Sequence, residues 1–140
     1  LMPIDLGPRE RIVDGERHIT LTGWDQKDYG LLGSKTDTVV LQMANPDVTD
    51  QALAPLRRMT KLRELDLNNT GITDEGLKVL KDLPALGMLR LKNTKITDQG
   101  FQESLAGMAS LTRLELGGTS VSEETIQTWS KAKAGRRALR

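Results

Sequence analysis

The stretch Leu62-Arg63-Glu64-Leu65-Asp66-Leu67-Asn68-Asn69-Thr70-Gly71-Ile72-Thr73-Asp74-Glu75-Gly76-Leu77 decides the architecture. In Leu65-Asp66-Leu67 the alternation has period 2, which predicts a short strand with its leucines inward and Asp66 outward. The spacing then changes to that of a helix, with Leu77, Leu80 and Leu83 three residues apart. Thr73 serves as N-cap and Asp74 and Glu75 occupy the first turn, where the helix dipole favours acids, and Pro84 ends the turn. The same unit returns. Ile72-Thr73-Asp74 recurs as Ile96-Thr97-Asp98 and is preceded by Val48-Thr49-Asp50, a spacing of 24 twice over. The shift also maps Leu41-Gln42-Met43 onto Leu65-Asp66-Leu67 and Leu89-Arg90-Leu91. The next copy, Leu114-Glu115-Leu116, lies 25 further on, because Phe101 to Leu105 holds one residue more than Leu77 to Leu80, an insertion in the predicted helix.

One such strand and helix cannot bury their shared apolar stripe alone, so successive copies must stack, with their strands forming a parallel sheet. The pattern L-x-x-L-x-L-x-x-N/C-x-L, met by Leu62, Leu65, Leu67, Thr70 and Ile72, by Leu86, Leu89, Leu91, Thr94 and Ile96, and by Leu111, Leu114, Leu116, Thr119 and Val121, resembles the leucine-rich repeat family. Thr stands where that family carries Asn or Cys, and its inward hydroxyl is expected to bond the backbone of the turn, which Pro46 at the first repeat's equivalent cannot do. The T-x-I-T-D-x-G-L version is similar to a sub-type common in bacterial leucine-rich repeat proteins, and to repeats of eukaryotic F-box adaptors, which usually carry Cys. The resemblance implies an α/β fold, a right-handed solenoid with a parallel β-sheet on the concave face and short helices on the convex face. It also implies a non-enzymatic module that binds protein or peptide through the sheet.

Three segments are expected: residues 1–38 as an N-terminal arm and cap, 39–130 as about four repeats, and 131–140 as a basic C-terminal cap or tail. Ile12-Val13 before Asp14-Gly15 suggests a hairpin against the strand His18-Ile19-Thr20-Leu21-Thr22. Tyr29, Leu31 and Leu32 are expected to cover the open end of the first repeat. Pro55 interrupts the segment Asp50 to Met59, so a turn or a late-starting helix is predicted there. Ile126 and Trp129 fall in the columns of Leu77 and Leu80, which makes Trp129 a lid, and Trp24 is read in the same way. A last strand through Leu139 completes the reading.

Composition limits the rest. With 140 residues, 37% apolar, 13 Gly and no Cys, the chain suits one folded domain and excludes a disulfide framework, a thiol nucleophile and thiolate-bound zinc. No apolar run approaches the roughly 20 residues of a membrane-spanning helix, so a soluble domain is expected, its compartment undetermined. The chain opens Leu1-Met2-Pro3, and an upstream targeting segment is expected to be missing from it. Of 20 basic residues, Lys131, Lys133, Arg136, Arg137 and Arg140 fall in the last ten, leaving 15 against 19 acids before them, a net of −4. The tail is read mainly as a solvated end. An acidic body opposes phosphate contacts and argues against nucleic acid as partner.

Apparent chemical motifs dissolve into the repeat. Gly33-Ser34-Lys35-Thr36 lacks the Gly-Lys junction and following helix of a phosphate loop. Asp66 to Gly71, with Asp74 at the ninth place, imitates the start of a calcium loop, but the twelfth place is Leu77 rather than Glu. His18, the only histidine, excludes a multi-histidine metal site and leaves any hydrolase or transferase reading dependent on a cap strand. Asp25 with Asp28 and Glu123 with Glu124 read as solvated turns. No cofactor, metal or catalytic residue is assigned.

The outward strand positions form columns about 4.8 Å apart. The first is Val40, Glu64, Met88, Arg113; the second is Gln42, Asp66, Arg90, Glu115; the third is Ala44, Asn68, Lys92, Gly117. The binding face is accordingly expected at Glu64, Asp66, Asn68, Met88, Arg90, Lys92, Arg113 and Glu115. Arg90 and Arg113 are its best anchors and Met88 its main apolar residue. Asp66, Arg90 and Glu115 alternate in sign and should pair across strands. The partner is an unidentified protein or peptide, and the competing reading is a structural spacer from a longer protein with no ligand of its own.

Overall fold

A computed structural model describes residues 9–21 and 29–140. Among these, seven strands form one sheet in chain order: β1 (Arg9–Val13), β2 (Glu16–Thr20), β3 (Thr38–Gln42), β4 (Glu64–Asp66), β5 (Met88–Arg90), β6 (Arg113–Glu115) and β7 (Arg137–Leu139). β1 and β2 are an antiparallel hairpin through Asp14 and Gly15, both at positive φ. Every later pair is parallel. The register follows the repeat, aligning Leu41, Leu65, Leu89 and Leu114 in one row. These leucines are at most 2% exposed, and with Leu67, Leu91, Leu116 and Ile72 they form the spine of a continuous core.

The segments between strands cross the opposite side as short turns of helix. They are the 3-10 segments Tyr29–Ser34 and Asp50–Arg58, then α1 (Asp74–Leu80), α2 (Asp98–Gly100, continued by the π-helical Phe101–Leu105) and α3 (Glu123–Ala132). Pro55 does not delay the second segment. That segment is helical from Asp50 but in the tighter 3-10 form, which suits a stretch whose proline has no N–H to give. α1 ends at Leu80, earlier than Pro84 would require, and Leu83 stays buried in the following turn through its N–H bond to the Leu80 carbonyl. The extra residue of the next repeat is absorbed as a π turn, with the Ala106 N–H on the Phe101 carbonyl at 2.9 Å, so the flanking strands keep their register.

Two hydrogen-bond ladders explain the polar letters of the repeat. The inward hydroxyls of Thr70, Thr94 and Thr119 donate to the carbonyls of Leu67, Leu91 and Leu116 at 2.8, 2.7 and 2.6 Å and close each turn after the strand. The acids at the helix starts reach forward one repeat. Asp50 accepts the N–H and hydroxyl of Thr73 (2.7 and 2.5 Å), Asp74 those of Thr97 (2.8 and 2.6 Å), and Asp98 the N–H of Ser122 (2.7 Å). The glycines two places after Asp74 and Asp98 follow from this: a Cβ on Gly76 or Gly100 would collide with the carboxylate of the preceding repeat's acid, Asp50 or Asp74. Asp98 is held below the usual carboxylate range, first by the Ser122 N–H and then by the hydroxyls of Ser122 and Thr125 and the charge of Arg140.

The residue before each inward threonine is Asn69, Asn93 or Gly118, all at positive φ, where these residues are tolerated best. Asn45 is the exception, because Pro46 after it favours extended backbone. Asn93 Nδ2 donates to Asn69 Oδ1 at 2.7 Å, and at Gly118 a Cβ would overlap Asn93 Oδ1.

The last ten residues are largely exposed but are tied to the repeat and act as the expected cap rather than as a loose tail. β7 pairs with β6, Arg136 lies over the Trp129 ring at 4.7 Å and donates to the Trp129 carbonyl, and Arg140 donates to the Val121 carbonyl at 2.6 Å. Trp129, 3% exposed, meets Phe101 edge-on and closes the core. At the other end Leu32 is buried and Tyr29 partly so, but Leu31 turns outward at 55% exposure. Trp24, Asp25 and Asp28 lie outside the described residues.

Candidate functional site

Because side chains alternate across a strand, burying the leucine row commits the flanking residues to the opposite face. Val40, Glu64, Met88 and Arg113 align in register, as do Gln42, Asp66, Arg90 and Glu115. Asn68 and Lys92 follow their strands, joined by the Lys92 N–H on Asn68 Oδ1 at 2.8 Å. Glu64, Asp66, Asn68, Met88, Arg90 and Glu115 are half-buried, whereas Lys92 and Arg113 are exposed.

The alternating charges of the second column pair only once. Arg90 Nε donates to Glu115 Oε2 at 3.0 Å, and Asn68 Nδ2 reaches the other oxygen at 3.5 Å. Asp66 turns back on its own loop instead, accepting the Asn68 N–H at 3.0 Å. Both ionic groups of the formed pair are about one-third exposed or less, so the pair is partly shielded from water but not desolvated.

Residues absent from the sequence-based site extend both columns. Arg137 stands beside Arg113 and Leu139 beside Glu115, and at the far end His18 and Thr20 stand beside Val40 and Gln42. The signal for the first pair was present: Arg137-Ala138-Leu139 follows Arg113-Leu114-Glu115 at the repeat spacing of 24. Leu139, 65% exposed, rather than Met88, is the most exposed apolar group of the face. Met88, Arg90, Arg113, Glu115, Arg137 and Leu139 line a hollow of about 180 Å³. It has no catalytic constellation. Among the described residues, no three His, Cys, Asp or Glu gather as a metal site, and no helix is long and apolar enough to cross a membrane.

The other sequence candidates have structural partners. The carboxylate of Asp74 is bound to Thr97, Lys35 pairs with Glu10 at 3.0 Å, and β3 follows it where a phosphate loop needs a helix. Glu123 and Glu124 are exposed in the first turn of α3, whose N-cap is Ser122. A second hollow, bounded by Tyr29, Asp47, Thr49 and Pro55, lies away from the sheet face. There the Tyr29 hydroxyl donates to Asp47 at 2.8 Å, and burial, with that carboxylate beside it, raises it above its usual range.

With this geometry in hand, comparison with known proteins agrees on the repeat. A leucine-rich repeat family model matches residues 60–121, a little under half of the chain, and this segment carries the repeats read from the sequence. Among solved structures, an internalin from Listeria monocytogenes shares the fold at a TM-score of 0.53 and 19% sequence identity, over 79% of this chain and 36% of that one. The chain thus spans little more than a third of the internalin's length. No curated protein gives a significant sequence match.

Proposed function

We propose that the chain is a non-enzymatic recognition module that binds a protein or peptide through its concave sheet face, at Glu64, Asp66, Asn68, Met88, Arg90, Lys92, Arg113 and Glu115. The observation that carries this reading is the hollow between Met88, Arg90, Arg113, Glu115, Arg137 and Leu139, the place on the face where charged and apolar groups meet in a concavity. Ordered rows of outward side chains on a backbone bonded from strand to strand present a partner with a preorganised surface, which lowers the entropy lost on association. Arginine anchors beside apolar groups are the common form of an energetic centre in such interfaces.

The test is affinity capture with the native chain and with an Asp66→Arg, Arg90→Glu, Arg113→Glu variant whose circular dichroism matches the native. A protein retained by the native chain, confirmed by binding of the purified pair, and lost on the variant is the expected result. Equal retention by both moves the interaction off this face. Retention by neither favours a spacer role.

A further inference from the structure

The charge of the proposed face is not uniform, and its C-terminal end has a chemistry of its own. β4 contributes the acids Glu64 and Asp66, while β5, β6 and β7 contribute Arg90, Arg113 and Arg137, with Lys92 just beyond β5. The one carboxylate lining the hollow, Glu115, is held by Arg90 and Asn68. Arg113 and Arg137 are register partners on adjacent strands, both exposed, and among the described residues neither makes an ion pair. Two guanidinium stems about 4.8 Å apart at the backbone repel one another unless an anion bridges them. Met88 and Leu139 line the same hollow and give an apolar floor beside the positive pair.

We infer that this hollow docks an extended acidic peptide, one Asp or Glu bridging Arg113 and Arg137 and a neighbouring apolar side chain covering Met88 and Leu139. The inference deepens the sheet-face reading and rests on it. Guanidinium forks match carboxylates in geometry as well as charge, which favours a carboxylate as the bridging anion. Glu64 and Asp66 set a limit on the other side. They lie two to three strands from the arginine pair, roughly 10 to 15 Å at the spacing of a sheet, or three to four residues of extended chain. The peptide is therefore acidic at one end only, and a basic residue is accepted at the other. A polyphosphate strand, charged at every unit, would have to lay phosphates against Glu64 and Asp66, so the pattern favours peptide over nucleic acid.

The test is selection of a randomised seven-residue displayed peptide library on the 140-residue chain and on its Arg113→Glu, Arg137→Glu variant, with folding of both verified by circular dichroism. The expected result is enrichment of Asp or Glu next to Leu, Ile or Phe, at least tenfold weaker retention of those peptides by the variant, and a switch of the variant's own selection towards Lys and Arg. Acidic peptides retained equally by the variant would overturn the inference, as would no enrichment over the unselected library or an oligothymidylate that outcompetes the selected peptides. Neutral peptides that are lost on the Asp66→Arg, Arg90→Glu, Arg113→Glu variant would overturn it while leaving the sheet face as the binding surface.

Discussion

The two ends of the sheet are closed by opposite means. At the N-terminal hairpin all five residues of β1 are exposed, Ile12 by 61%, and the polar links are ionic: Glu10 with Arg17 and Lys35, Arg17 with Asp37, and Glu16 with Arg63, at 2.7 to 3.0 Å. At the C-terminal end Trp129 is buried against Phe101, and Arg136 lies over its outer face. Burial of apolar surface survives salt, whereas ion pairs near the surface are weakened by it. The difference teaches that the C-terminal cap stabilises the proposed binding end of the sheet, while the hairpin is the end most open to exchange with solvent.

The largest expected effect breaks the stronger end. Trp129→Ala removes the lid of the core and should lower unfolding free energy by about 3 to 5 kcal/mol, read from denaturant midpoints at constant slope. A loss below 1 kcal/mol would mean that the cap is not part of the cooperative unit. Next comes the ladder between the ends. Asp74→Ala strips Thr97 of two charge-assisted hydrogen bonds and should cost about 2 kcal/mol. Asn at the same place keeps one acceptor and should recover part of the loss.

Acid should sharpen the comparison. Asp37 is held below the usual carboxylate range chiefly by its bond from Arg17, and Asp98 chiefly by the Ser122 N–H. A depressed folded value means stability that is fully present above the unfolded value, near pH 4, and lost as pH falls through the folded one. Thermal melts should accordingly be flat from pH 7 to about 5 and fall below about 4, and Asp98→Asn should flatten that fall. The smallest effect belongs to the hairpin. Glu10→Gln should lower the melting temperature slightly at low ionic strength and not at all in about 1 M salt, where the screening length is about 3 Å. Equal loss at both salt concentrations would show that the hairpin is held by packing instead.

Much of this was legible beforehand because the repeat writes the same instruction several times. A 24-residue period fixes which residues are neighbours across the sheet, so the columns through Glu64, Met88 and Arg113 and through Asp66, Arg90 and Glu115 could be written down from sequence. The Asp–Thr ladder was half legible: the N-cap role of Thr73 follows from its place before Asp74, but its bond to Asp50 spans 23 residues. The C-terminal cap was half legible: a last strand through Leu139 could be expected, but the roles of two of its cations could not. Arg136 and Arg140 look like part of a solvated charge run, yet a guanidinium can lie on an indole ring or bond a backbone carbonyl without giving up its charge.

The sequence by itself determined the stacked strand-and-turn architecture, its register and its core, because an amphipathic unit too small to bury its own stripe has one economical solution, repetition. The tertiary structure alone decided which charges remain unspent. Arg90 pairs with Glu115 while Asp66 accepts the Asn68 N–H, and β7 sets Arg137 beside Arg113 with no acid in register between them. A period can name neighbours, but competition among acceptors in three dimensions decides who is bonded.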